Sequence, residues 1–182
     1  MIYGASFLDC VKLVEAVNRA RPTWRVLGFL DDSPALQGKR LLGCTVLGGR
    51  ERLAELAARP EVDFFNNVRG SWENCELIAR RLRAAGRESV SLAHPSVDLA
   101  YVELGPGCVV ADGCVVAAMT RLGSHVTARV GCTISHDAVL GDYVLLGPGV
   151  TLGSHVRIGA RALIGAGGHP AGQKSFFLPA VR

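Results

Sequence analysis

The sequence predicts two domains of different classes: a small α/β domain over residues 1–92 and a parallel β-helix over residues 93–182, ending in an irregular tail. Two observations predict this fold. Strand-like and helix-like segments alternate up to about residue 90, which is typical of a parallel sheet with helices packed on it. From Leu104 onward, aliphatic residues recur every six positions, a period that belongs neither to a helix nor to a lone strand. A fixed six-residue repeat is typical of a parallel β-helix.

The N-terminal segment reads as a small, Rossmann-like parallel sheet. The patterns predict strands over residues 1–4, 25–30, 62–65 and 89–93, and helices over residues 8–20, 50–58 and 71–85. Pro22 and Pro60 end the first two helices. Ser71 is the expected N-cap of the third helix, and Gly86 follows its end.

Polar residues follow three of these strands. They are Gly4-Ala5-Ser6, Asp31-Asp32 and Asn66-Asn67. Ligands of parallel sheets lie beyond the carboxyl ends of the strands, and a turn that runs into a helix suits a phosphate. We therefore expect a nucleotide or sugar-nucleotide pocket that uses Gly4, Ala5, Ser6, Asp31, Asp32 and Asn67.

The repeat domain contains two columns of residues spaced six apart. The first column is large and aliphatic: Leu104, Val110, Val116, Leu122, Ala128, Ile134, Leu140, Leu146, Leu152, Ile158 and Ile164. The second is small or β-branched: Cys108, Cys114, Thr120, Val126, Cys132, Ala138, Val144, Val150, Val156 and Ala162. Both columns should fill a triangular interior. Glycines directly after the first column should form the corners, because glycine reaches backbone angles that other residues avoid.

Composition excludes several classes of protein. The chain has 182 residues and a net charge of +4 without a basic block, so nucleic acid is not an expected partner. No apolar run is long enough for a membrane span, and the start shows no signal-peptide pattern, so we expect a cytoplasmic protein. Three of the six cysteines lie in the second column, and we expect all six to be reduced, structural thiols.

Several segments resemble one known family. Gly4-Ala5-Ser6, Gly28-Phe29-Leu30-Asp31-Asp32, His94-Pro95-Ser96 and Ser135-His136-Asp137 occur in this order ahead of, and within, the repeats. The chain resembles the sialic acid O-acetyltransferases and the UDP-4-amino-sugar (bacillosamine) and perosamine N-acetyltransferases, which are hexapeptide-repeat acyltransferases. The resemblance extends to about Gly167.

This resemblance implies a left-handed β-helix, a homotrimer and a groove between subunits as the active site. It implies acetyl-CoA as donor, a nucleotide-linked amino or hydroxy sugar as acceptor, and no metal. The general base of the family is a histidine followed by an acidic residue, here His136 and Asp137. The upper coils of the family hold the pantetheine arm of the donor, for which we assign Gly147, Ser154 and Gly165.

The residue types agree with this chemistry. Acyl transfer from a thioester needs a base that removes a proton from the attacking group, and histidine serves near neutral pH. An adjacent carboxylate can fix the tautomer of the histidine and stabilise its cation. His136 lies outside both interior columns and should point outward.

The sequence also departs from the family. Phe7-Leu8 replaces the usual Gly-His of the first loop, Arg129-Val130-Gly131 replaces Asn-Thr-Gly, and Leu145 stands where many relatives have a second histidine. The tail lacks further repeats. We expect its apolar segment Phe176-Phe177-Leu178 to cap the open end of the β-helix or to dock on a neighbouring subunit, because large apolar side chains are costly to leave in water.

Three alternatives remain at this point. The repeats could form a structural solenoid without chemistry. The protein could bind a sugar nucleotide or CoA without catalysis, which the altered first loop and short tail favour. It could also be a zinc enzyme similar to the γ-type carbonic anhydrases, with ligands among His125, His136 and His155. No two of these histidines show the five-residue spacing of that class, although His136 and His155, nineteen apart, should meet near one corner.

Overall fold

The computed structural model describes residues 1–169 and the backbone of Ser175–Phe176. The chain divides into two compact units, Met1–Val90 and Ser91–Arg182. Each unit has its own hydrophobic core.

The strands contain only two residues each. They are β1 (Ile2–Tyr3), β2 (Phe29–Leu30), β3 (Arg40–Leu41), β4 (Cys44–Thr45), β5 (Phe65–Asn66), β6 (Leu92–Ala93), β7 (Glu103–Leu104), β8 (Val109–Val110), β9 (Val115–Val116), β10 (Arg121–Leu122), β11 (Thr127–Ala128), β12 (Thr133–Ile134), β13 (Val139–Leu140), β14 (Leu145–Leu146), β15 (Thr151–Leu152), β16 (Arg157–Ile158), β17 (Leu163–Ile164) and β18 (Ser175–Phe176).

The first unit contains a three-stranded parallel sheet in the order β2-β1-β5, as the alternation of elements predicts. Its helices are α1 (Asp9–Ala20), α2 (Leu53–Ala57) and α3 (Trp72–Ala84). A single 3₁₀ turn, Arg50–Arg52, precedes α2, so the predicted second helix is α-helical only in part. The Ser71 hydroxyl accepts a hydrogen bond from the Asn74 amide at 3.3 Å, which confirms the predicted N-cap.

One predicted strand is wrong. The segment 89–93 is divided between the two units rather than forming one element. Ser89 forms a parallel bridge with Phe64 in the first unit, whereas Leu92–Ala93 pairs with β8 in the second. The two ends of the segment satisfy their backbone groups in different units, which a local pattern of apolar residues does not reveal.

The second unit is a three-sided parallel β-helix. Its sides are the sheets β7-β10-β13-β16-β18, β6-β8-β11-β14-β17 and β9-β12-β15. From β7 onward, paired residues are eighteen apart, as in Arg121 with Val139 and Thr133 with Thr151, so three six-residue units make one coil. The entering strand β6 pairs with β8 seventeen residues later. The two predicted columns form the core, where Ile134, Leu146 and Val150 are completely buried.

The interior thiols act as small fillers with local hydrogen bonds. The Cys108 thiol donates to the Gly123 carbonyl at 3.0 Å, and the Cys132 thiol donates to the Gly147 carbonyl at 3.2 Å. All six cysteines are free, in agreement with the sequence-based expectation.

The glycines after the first column have a different role from the predicted one. Gly105, Gly123, Gly141 and Gly147 do not adopt left-handed backbone angles. Instead, each lies so close to the next coil that a side chain would collide with it. A Cβ atom on Gly123 would lie 2.8 Å from the Gly141 carbonyl carbon and from the Asp142 amide nitrogen. Close stacking of the coils, not a corner conformation, requires glycine here.

This packing predicts a difference between two glycine substitutions. Gly123→Ala should lower the free energy of unfolding by about 1–3 kcal/mol, because the backbone of the next coil has to move. Gly165→Ala is the matched control: it occupies the same place in its repeat, yet no described atom lies within 4 Å of its would-be Cβ. Urea unfolding followed by circular dichroism measures both. Equal losses in the two variants would contradict this role for Gly123.

Among the residues that the structure describes, no helix combines the length and apolar character required to cross a bilayer. At the C-terminal end, the backbone of Ser175–Phe176 pairs in parallel with β16. The capping role predicted for Phe176-Phe177-Leu178 concerns side chains that lie outside the described residues.

Candidate active site

The corners of the β-helix are built on residues with left-handed backbone angles. At one corner, the residue with the left-handed angle is a glycine in every coil: Gly113, Gly131, Gly149 and Gly167. At another, which we call the His136 corner, the corresponding residues are Tyr101, Met119, Asp137 and His155, with φ between +58° and +61°. Such angles are uncommon for residues other than glycine, although Asp and His tolerate them better than most. Strained backbone of this kind clusters at functional sites.

His136 and Asp137 form a hydrogen-bonded pair at this corner. The His136 Nδ1 atom lies 2.8 Å from the Asp137 Oδ2 atom. The two side chains are 56% and 44% exposed, so the pair points outward as the sequence predicts. The hydrogen bond from His136 holds the pKa of the Asp137 carboxyl below its ordinary value, and the nearby His155 acts in the same direction. An ionised carboxylate only accepts hydrogen bonds. Nδ1 of His136 therefore donates the hydrogen bond to Asp137, and in the neutral ring Nε2 keeps a free lone pair.

His155 lies at the same corner, one coil further on. Its Nδ1 atom is 3.9 Å from the Asp137 Oδ2 atom, and its ring meets that of His136 edge-on with centroids 5.1 Å apart. The His155 amide donates to the His136 carbonyl at 3.1 Å, which fixes the stacking of the two turns. The spacing of nineteen residues predicts this juxtaposition, but sequence reasoning gave His155 a role only in the zinc alternative and none in acyl transfer.

His125 does not lie at the His136 corner. It is buried at a different corner, where its ring stacks on Tyr143 with centroids 5.2 Å apart and planes 3° from parallel. The three histidines considered as zinc ligands therefore do not converge within one chain.

The predicted acceptor residues come together at the carboxyl edge of the sheet in the first unit. The Asp31 carboxylate accepts hydrogen bonds from the Ala5 and Ser33 amides at 2.8 and 2.9 Å. The Asn67 side chain donates to the Gly4 and Phe7 carbonyls at 2.9 and 2.8 Å. Asp31 and Asn67 thus hold the loop that contains Gly4, Ala5 and the exposed Ser6. Their contact with a ligand stays a prediction.

Asp32 takes part in a separate network at the same edge. Its carboxylate accepts hydrogen bonds from Arg81 Nη1 at 2.6 Å, the Arg50 amide at 2.8 Å and the Tyr3 hydroxyl at 3.2 Å. Burial raises the pKa of Asp32, but the bonds from Arg81 and Arg50 outweigh burial and leave the pKa below its ordinary value. Sequence reasoning missed Arg81, which lies 49 residues further along the chain.

Asn67 offers a test of this loop. Asn67→Ala removes both donors from a completely buried position and leaves the Gly4 and Phe7 carbonyls without that partner. We expect a loss of about 2–3 kcal/mol in the free energy of unfolding, since an unsatisfied buried group costs about 1–3 kcal/mol. The control is Asn74→Ala on the exposed face of α3, where the change should stay within about 0.5 kcal/mol. Chemical denaturation measures both, and comparable stabilities would contradict the role of Asn67.

The predicted donor residues occupy two corners. Ser154 immediately precedes His155 at the His136 corner, eighteen residues after His136. Gly147 and Gly165 follow the paired strands β14 and β17 and stack on each other at a different corner. The structure therefore does not bring these three residues together in one place, and their role stays a prediction.

Comparison with known proteins supports the fold. Residues 137–167 match the family model described as bacterial transferase hexapeptide (six repeats). No curated protein matches the chain.

Several solved structures are similar over nearly their whole length. A His-to-Ala mutant of GDP-perosamine N-acetyltransferase from Caulobacter crescentus, in complex with CoA and GDP-perosamine, has a TM-score of 0.78 and 23% identity, covering 96% of this chain and 90% of that one. The acetyltransferase domain of PglB from Neisseria gonorrhoeae FA1090, in complex with acetyl coenzyme A, has a TM-score of 0.72 and 23% identity, covering 96% and 93%. WeeI from Acinetobacter baumannii AYE has a TM-score of 0.67 and 21% identity, covering 94% and 92%.

These matches confirm the predicted fold class, a small parallel α/β sheet followed by a left-handed parallel β-helix. They also confirm the predicted resemblance, because perosamine N-acetyltransferase and the PglB acetyltransferase domain are among the similar structures. The chain thus has the fold of the sugar-nucleotide N-acetyltransferases, with a bacterial transferase hexapeptide repeat in its second unit.

Proposed function

We propose that this protein is an acetyl-CoA-dependent acyltransferase that acetylates an amino, or a hydroxyl, group of a nucleotide-linked sugar. The observation that carries the proposal is the exposed pair of His136 and Asp137, 2.8 Å apart, on a fold shared with sugar-nucleotide N-acetyltransferases. The same fold in complex with CoA and GDP-perosamine, and with acetyl coenzyme A, supports the choice of donor and acceptor classes. We further propose that the protein acts as a homotrimer in the cytoplasm.

In the proposed reaction, Nε2 of His136 accepts a proton from the sugar amine as its nitrogen attacks the thioester carbon. A carbon–nitrogen bond forms and the carbon–sulfur bond breaks. The CoA thiolate leaves and takes up a proton to give free CoA. Asp137 keeps the proton of His136 on Nδ1 and stabilises the imidazolium that forms, because the carboxylate is ionised and in direct hydrogen-bond contact.

The acceptor nucleotide is proposed to bind at the carboxyl edge of the sheet β2-β1-β5. Asp31 and Asn67 shape the Gly4-Ala5-Ser6 loop through side-chain hydrogen bonds. This loop leads into α1, whose N-terminus has no side-chain cap. Uncapped amides at a helix N-terminus favour an anionic group such as a phosphate. Asp32 takes part in the acceptor site through its network with Arg81.

The donor is proposed to contact the upper coils, through Gly147 and Gly165 at one corner and Ser154 beside the catalytic pair. Gly165 is exposed, Gly147 is buried beneath the following coil, and Ser154 offers a hydroxyl one coil above His136. Leu145, which is half-buried on β14, occupies the place where many relatives have histidine, so catalysis here depends on one base.

The test is the release of free thiol from acetyl-CoA by the purified protein. The acceptor panel contains UDP- and GDP-linked 4-amino sugars and CMP-sialic acid, with hydroxyl-bearing analogues to separate N- from O-acylation. Release that depends on one acceptor would support the proposal. Binding of acetyl-CoA or of a sugar nucleotide without release would contradict it and favour the non-catalytic alternative, consistent with Phe7-Leu8 in the first loop.

A further inference from the structure

Three side chains of types that bind metal ions meet at the His136 corner, and the proposed acyl transfer uses only two of them, His136 and Asp137. One ligand atom from each of His136, Asp137 and His155 lies within 4.8 Å of the other two. We propose that this corner binds a divalent first-row transition-metal ion, with Zn²⁺ as the reference species, through the two imidazoles and the carboxylate.

The distances suit such an ion. Zinc bonds of 2.0–2.2 Å to nitrogen and oxygen in a tetrahedral arrangement place neighbouring ligand atoms roughly 3.4 Å apart. The Asp137 Oδ2 atom lies 2.8 Å from His136 Nδ1 and 3.9 Å from His155 Nδ1, one on each side of that value. All three side chains are 44–58% exposed, so small rotations can equalise these distances and an ion can enter from solvent.

The backbone fixes the spacing of the ligands in advance. Asp137 and His155 occupy the same place in successive coils and share a φ of +58°. The hydrogen bond from the His155 amide to the His136 carbonyl joins the two turns directly. The ligands therefore project from stacked, rigid turns rather than from a mobile loop, which reduces the ordering that metal binding requires.

The donor set indicates the class of ion. Two imidazoles and one carboxylate favour zinc, cobalt or nickel, whereas calcium and magnesium prefer oxygen ligands alone. Three protein ligands on an exposed corner leave further positions for water. This differs from the three-histidine zinc alternative, because His125 lies at another corner and Asp137 takes its place.

Metal binding would have a functional consequence, which rests on the proposed function. An ion bound to Nδ1 of His136 requires the ring proton to lie on Nε2, so His136 can no longer accept a proton there, and its hydrogen bond to Asp137 is replaced by the bonds to the ion. Divalent transition metals should therefore inhibit acetyl transfer, and the inhibition should be reversed by a chelator.

Equilibrium dialysis of the EDTA-treated full chain with Zn²⁺ or Co²⁺ tests the site. We expect one ion per chain, and an affinity reduced about tenfold or more in His155→Gln and in Asp137→Asn, since even changes outside the ligand shell cost 10–100-fold. His94→Gln is the matched control, because His94 bonds with Ser96 and lies outside the group. Equal affinity in wild type and His155→Gln, or no binding, would overturn the proposal.

Cobalt absorption separates this site from the thiols. Binding through nitrogen and oxygen gives no sulfur-to-cobalt charge-transfer band, whereas a site at the half-exposed Cys44 would give one. A strong band that disappears on alkylation of the thiols would overturn the assignment.

A second experiment measures the rate of acetyl transfer with and without Zn²⁺, in the wild type and in His155→Gln. We expect inhibition in the wild type and less in the variant. Inhibition of equal strength in both proteins would count against the site. If neither protein transfers acetyl groups, the proposed function fails, while the dialysis still decides the metal site.

Discussion

His136→Gln should reduce kcat/KM for acetyl transfer by about 10²–10⁴-fold, the range that general-base catalysis contributes. Glutamine preserves much of the size and polarity of histidine but cannot accept the proton of the attacking group. The side chain is 56% exposed, so the fold should not depend on it. Thiol release with a saturating donor, together with an unchanged melting curve, isolates the chemical role.

Two further variants sharpen this result. Asp137→Asn should also lose activity, because an amide can donate to Nδ1 and so favour the tautomer of His136 that has no lone pair on Nε2. His94→Gln is the control for removal of a histidine from the same unit, and it should keep the wild-type rate. A rate for His136→Gln within a factor of about three of the control would remove His136 from the proposed mechanism, since such a factor is below any general-base contribution.

Leu146→Ala should lower the free energy of unfolding by about 2–5 kcal/mol. Leu146 is completely buried in the prism, between neighbouring coils of the same side. Its removal leaves a cavity that the stacked backbone cannot collapse to fill, because each coil is held to the next by hydrogen bonds along the sheet.

Leu163→Ala is the matched control for this core substitution. Leu163 lies on β17 of the same sheet, yet its side chain points outward and is 58% exposed. The control should change stability by about 0.5 kcal/mol or less. Denaturant midpoints must be compared at one protein concentration, because association stabilises a folded chain. Similar losses in both variants would contradict the assignment of Leu146 to the interior.

Much of the second unit follows from the sequence. The six-residue period places the first column of large aliphatic residues on the inside. Three such periods make one coil, which gives the eighteen-residue register between neighbouring strands. The outward position of His136 follows from the same count. The meeting of His136 with His155 follows from their spacing of nineteen, one residue more than a full coil.

The role of the glycines did not follow from the sequence. A glycine at a fixed place in a repeat fits either an unusual backbone angle or a close approach of two chains. Gly123 needs the second, while Gly131 at a corner has the first, with φ of +69°. Only the coordinates of the next coil distinguish the two, because the collision is with residues eighteen and nineteen positions away.

The sequence by itself determined the two-part architecture, the contents of the β-helix core and the candidacy of His136 with Asp137, because each depends on periodicity or on adjacent residues. Tertiary structure alone decided the rest. Asp32 is hydrogen-bonded to Arg81, which lies 49 residues further along the chain. Asp31 and Asn67 hold the Gly4-Ala5-Ser6 loop through side-chain hydrogen bonds. The segment 89–93 is also divided, between a bridge to Phe64 in the first unit and a sheet of the second. The physical reason is the same in each case: hydrogen bonds between distant residues depend on how elements pack, and no local pattern records that.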